Sequence, residues 1–84
     1  MWILVKSINE KENFNEFKDA CKSLIDYVKI RMDEGMTWME LETMIWIEQE
    51  TKVGEPMRVP MMFYDVRDFC FGAGWLDETG KWIG

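Results

Sequence analysis

Hydrophobic patterning along these 84 residues predicts an α+β domain: three helices packed on a small antiparallel sheet made of the N-terminal strand and a C-terminal hairpin. Three observations lead there. Apolar side chains alternate at period two over residues 2–8, and they recur at helical spacing in three later stretches. A turn sequence then separates two Trp-containing pairs near the C-terminus. The length suits a single compact domain, 1–84, and a chain this short buries only roughly 60–65% of its unfolded surface.

In residues 2–8, Trp2, Leu4, Lys6 and Ile8 alternate with Ile3, Val5 and Ser7, bulky and β-branched side chains that suit a strand. Asn9 stands three before Glu12, and Asn13 three before Glu16. Each pair has capping-box spacing, so the first helix is expected to start at one of them. Phe14, Phe17, Cys21, Leu24 and Val28 follow at steps of three and four, with Ala20 and Ile25 flanking the stripe and Lys18, Asp19, Lys22, Asp26 and Lys29 facing water. Gly35 is placed to end that helix in a left-handed conformation.

Thr37 and Glu40 repeat the capping-box spacing, and a second helix is expected over about 38–49. On its wheel Trp38, Leu41 and Ile45 share a core arc, whereas Met39 and Trp46 fall together on the far side. The competing reading is a strand over 43–49, since Ile45, Trp46 and Ile47 all suit a sheet. Residues 51–59, with Gly54 and Pro56, read as a loop, and Pro60 fits the first turn of a third helix. There Val59, Met62, Phe63, Val66, Phe69, Cys70 and Ala73 keep helical spacing until Gly72 and Gly74 stop it. Trp75-Leu76 and Trp82-Ile83 then flank Asp77-Glu78-Thr79-Gly80, a hairpin turn expected to bring its arms beside the N-terminal strand.

Charge is distributed unevenly. Residues 32–51 hold six carboxylates (Asp33, Glu34, Glu40, Glu42, Glu48, Glu50) and no Lys or Arg, while elsewhere ten acidic side chains balance ten basic ones. The whole net charge of −6 therefore arises in that window, which also carries Trp38, Trp46 and several Met residues. An acidic balance argues against binding a phosphate backbone, which needs concentrated Lys and Arg. The first residues form too short an apolar run for a signal peptide, and no stretch approaches the ~20 apolar residues of a membrane span. A cytoplasmic protein with no membrane association is expected. Cys21 and Cys70, in no metal-binding spacing, suit two buried free thiols in a reducing compartment.

Nothing in the chain carries a catalytic signature. Histidine is absent, which removes the commonest general base and metal ligand. The glycines of Gly72-Ala73-Gly74 follow a helix instead of opening one, so they lack the helix N-terminus that holds a phosphate. Asp65 and Asp68 are one helical pair beside Arg67, a solvated face before it is a chelate. No enzyme activity, cofactor or metal is expected.

Two binding functions remain. The first is a small inhibitor or adaptor, of the kind that bacteriophages and mobile elements encode, that docks an acidic, aromatic helix on a basic surface of a target protein. Met39 and Trp46 would anchor it and Glu42 and Glu50 would steer it. The surplus of aromatic and Met side chains also leads us to expect a homodimer. The alternative is a ligand-binding protein in which Arg58, Arg67 and Lys81, among aromatics, line a pocket for an anionic small molecule such as a nucleotide.

Overall fold

The computed structural model describes residues 1–7, 9–49 and 61–84. The expected end of the first strand at Ile8, the loop over 51–59, Pro60, Glu50 and Arg58 lie outside them. The described elements run β1 (Trp2–Ser7), β2 (Glu10–Phe14), α1 (Phe17–Asp33), α2 (Trp38–Met44), β3 (Trp46–Gln49), β4 (Met61–Met62) and α3 (Phe63–Gly72). The architecture is α+β, three helices with a four-stranded antiparallel sheet of order β2-β1-β3-β4. The N-terminal strand is central, and an antiparallel pair, β3 and β4, comes C-terminal to it.

The sheet recruits residues that local patterns assign elsewhere. Glu10–Phe14, expected to cap or open the first helix, pairs along β1 with Trp2 opposite Phe14 and Leu4 opposite Glu12. Neither Asn9 nor Asn13 caps. The N-cap of α1 is Glu16, in extended conformation and without a side-chain capping bond. A strand such as β1 has backbone donors and acceptors that must find partners, and pairing satisfies more of them than one capping box does. The second helix is likewise shorter than expected. It ends at Met44, Ile45 turns to an extended conformation (φ −124°, ψ 129°), and Trp46–Gln49 pairs with β1. Here the strand reading prevails, because β1 offers an open edge and the Ile-Trp-Ile run suits a pleated surface.

With β2 on one side of β1 and β3 on the other, no edge is left for the arms at Trp75-Leu76 and Trp82-Ile83. They meet in one antiparallel bridge, Leu76 opposite Trp82, outside the sheet. Met62, read as helical, is in β4, and α3 starts one residue later.

Other local expectations hold. Thr37 accepts from the Glu40 N–H while the Glu40 carboxylate accepts from the Thr37 N–H, a complete capping box. Gly35 (φ 101°) ends the α1 segment and Gly80 (φ 86°) serves the C-terminal turn, positive φ values that favour glycine.

Alternation decides the two faces of the sheet. Leu4 and Ile47 face the helices and join Ala20, Cys21, Leu24 and Val28 of α1, Leu41 and Ile45 of the α2 region, Phe63, Val66 and Cys70 of α3, and Leu76 in one buried core. Cys21 and Cys70 are free and fully buried in it. Burial pushes both thiols upward. Beside the core, Trp2, Phe17, Phe69, Trp75 and Trp82 form a continuous aromatic cluster with centroid spacings from 4.6 to 5.7 Å along the chain of contacts.

Candidate functional site: a basic cleft on an acidic chain

A cleft of about 460 Å3 lies between α1, α3 and the C-terminal turn. Its helical walls follow from sequence spacing. Ile25, Val28, Lys29, Met32 and Asp33 recur at three- and four-residue steps along α1, while Phe63, Tyr64 and Arg67 lie within four residues of each other on α3. Leu76, Thr79, Gly80 and Lys81 complete it from the turn. Val28, Phe63 and Leu76 are buried and form an apolar floor, whereas Lys29, Arg67 and Lys81 are exposed at the rim. Three cations from three separate elements thus converge on an apolar cavity. Among the described residues none of the three forms an ion pair. Arg67 does lie over the Phe71 ring, at 5.5 Å from its centroid.

The turn that presents Lys81 is organised by one carboxylate. Asp77 Oδ1 accepts from the Thr79 hydroxyl (2.6 Å), the Thr79 N–H (2.9 Å) and the Lys81 N–H (2.9 Å). The Asp77 carbonyl accepts from the Gly80 N–H at 3.0 Å, and the Lys81 carbonyl accepts from the Asp77 N–H at 2.9 Å. The Thr79 hydroxyl, followed by the Lys81 backbone, holds the Asp77 carboxyl below its usual value. Asx-type bonding of this kind fixes a turn without ligands.

Arg67 and Lys81, two of the three basic residues expected to line a pocket, therefore share one cleft, and Arg58 lies outside the described residues. Lys29 was missed. Its position next to Val28, and between Ile25 and Met32 at steps of four and three, is the signal that places it beside an apolar stripe instead of simply facing water.

The residues expected to form a docking helix are not on one helical face. Met39 is on α2 and 64% exposed; Glu42 is on the same helix and half-buried. Trp46 is on β3, so the seven-residue step from Met39 no longer aligns them. Val5, Trp46 and Met62 are register partners on the sheet face turned away from the helices, and Trp46 stays outside the core. Its indole N–H donates to Glu48 Oε1 at 2.8 Å. The acidic window is also partly occupied with local work: Glu34 pairs with Arg31 at 2.9 Å, Glu40 caps α2, and Glu48 holds Trp46.

Among the described residues no helix is long and apolar enough to cross a membrane. Comparison of the chain with protein-family models, curated proteins and solved structures returns no match.

Proposed function

We propose that this chain is a non-enzymatic binding protein whose cleft takes an amphipathic organic anion, with its apolar body on Val28, Phe63 and Leu76 and its charged head among Lys29, Arg67 and Lys81. The observation that carries the reading is the convergence on an apolar cavity of three cations that form no ion pair among the described residues, in a chain whose net charge is −6. The cavity is in the size range of small-molecule sites, and an apolar lining with a few placed polar groups is their usual chemistry. Non-catalytic binding is supported by the side chains themselves. Histidine is absent, both thiols are buried and pushed toward the neutral form, and neither lines the cleft.

Anilinonaphthalene sulfonate, an aromatic body with one anionic head, tests the reading by fluorescence titration. Saturable binding to the folded protein should weaken with added salt. Each of Arg67→Gln and Lys81→Gln should weaken it about two- to fivefold, as exposed charge pairs of ~0.5–1 kcal/mol would require. Equal binding by the parent protein and the double variant would overturn the assignment.

A second reading, docking on a basic protein surface or on another copy of the chain, is supported by the exposed side chains of Met39 and Met44 on acidic α2. For the self-docking form, light scattering at high micromolar concentration should give a dimer mass, reverting to monomer in Met39→Glu. A monomer mass throughout removes it.

A further inference from the structure

The chemistry of the head group can be narrowed by counting what the cleft has left to offer. The backbone donors of the three turn residues Thr79, Gly80 and Lys81 that line the cleft are already committed. The N–H groups of Thr79 and Lys81 and the Thr79 hydroxyl all donate to Asp77 Oδ1, and the Gly80 N–H donates to the Asp77 carbonyl. Thr79, Gly80 and Lys81 therefore supply no backbone nest for an anion. Recognition of the head falls to the side-chain charges of Lys29 and Arg67 on the helices and Lys81 on the turn, with Asp33 the single carboxylate among the described lining residues. Among the described lining residues, three cations against one carboxylate leave two positive charges. Asp77 is not a lining residue, and its Oδ1 is engaged by the Thr79 hydroxyl and the Thr79 and Lys81 N–H groups.

We infer that the head-group seat is matched to a dianion, a phosphomonoester carried on a compact apolar or aromatic body; this rests on the proposal that the cleft binds amphipathic anions. A dianion neutralises the two excess charges, whereas a sulfonate or carboxylate leaves one uncompensated. The Arg67 guanidinium adds a planar fork that matches two phosphate oxygens, and the two ammonium groups act as point charges toward the others. The chain as a whole carries a net charge of −6, so the ligand is a small phosphomonoester and not a polymer of phosphates, whose further charges would meet carboxylates.

The absence of histidine makes the inference cleanly testable. Among the described residues, the charged and titratable groups facing the head are Lys29 and Asp33 from α1, Arg67 and Tyr64 from α3, and Lys81 with Asp77 behind it from the turn. None is a residue type that ordinarily titrates between about pH 5 and about pH 7. A phosphomonoester does, with its second pKa near ~6. Calorimetric titration with naphthyl phosphate and naphthalene sulfonate, which share one body, isolates the head. Naphthyl phosphate should bind tighter at about pH 7, and its affinity should rise about tenfold from about pH 5, following the dianion fraction. The sulfonate should bind with no such rise. Lys29→Gln and Arg67→Gln, both exposed positions, should each narrow the preference for phosphate. Equal, pH-independent binding of the two probes overturns the dianion match while leaving the amphipathic-anion cleft standing. Failure of both probes to bind saturably overturns the cleft reading and this inference with it.

Discussion

A side chain's value here depends on which side of a layer it falls. Trp46 and Ile47 are neighbours, yet Ile47 is fully buried against the helices while Trp46 lies on the opposite sheet face, tethered by Glu48. Substitution should separate them. Leu24→Ala, in the core, is expected to lose ~2–5 kcal/mol. Trp46→Ala should lose only ~1–2 kcal/mol, because it removes cross-strand contacts and partial burial without opening a core cavity. Parallel thermal melts check the ranking, and a Trp46→Ala loss equal to that of Leu24→Ala would place the indole in the interior. Asp77 makes a different kind of prediction. Its carboxyl is held below the usual value by the Thr79 hydroxyl and the turn backbone, so the charged form is favoured by folding. Its contribution is fully present above the ordinary aspartate value of ~3.9 and is lost as pH falls through the lower folded value. The difference in melting temperature between parent protein and Asp77→Asn should therefore be visible at neutral pH and vanish in strong acid. A difference that persists at the lowest pH would mean that the turn does not depend on the charge.

At the level of elements, local signals decide where helices begin more firmly than where they end. The α2 capping box was legible from Thr37 and Glu40 alone and is present in full. With only seven residues, α2 is too short to persist without its cap and its docking through Leu41. Thr37→Ala should accordingly cost ~1 kcal/mol and lower the melting temperature by about 4–8 °C, measured calorimetrically. No change would show that tertiary packing alone holds the helix. The far end was not legible. Ile45, Trp46 and Ile47 continue the apolar run of a helix and equally suit a strand, and the choice lies with β1, more than forty positions earlier in the chain. Glu10–Phe14 was misread for the same reason. Its asparagines and glutamates have capping spacing, yet β1 required a neighbour.

Across the whole molecule, the surplus of aromatics that suggests a second burial site in the sequence finds part of its destination within the chain. Trp2, Phe17, Phe69, Trp75 and Trp82 pack on one another. Lys18 fastens the cluster by lying over the Trp75 ring at 5.4 Å and donating to the Gly84 carbonyl. Phe69 nevertheless remains 48% exposed. Phe17→Ala, at the hub of the cluster, should therefore destabilise the fold by ~3 kcal/mol, toward the lower end for large aromatics. Chemical denaturation checks this, and a loss below ~1 kcal/mol would show the cluster to be a surface coating.

What this sequence determines by itself is what short-range physics controls. It specifies the α+β composition, the helical stripes through Cys21–Leu24–Val28 and Val66–Cys70, the α2 cap, the glycines at the turns and the burial of both cysteines. These depend on residues within a turn or two of one another, where periodicity and capping are legible. Only the tertiary structure decided that 10–14 and 46–49 are strands, that the C-terminal arms stay off the sheet, and that Lys29, Arg67 and Lys81 meet. Strand pairing and the convergence of charges depend on contacts between distant segments. Their outcome rests on competition for one open edge and on how α1, α3 and a turn pack together, and no local pattern encodes either.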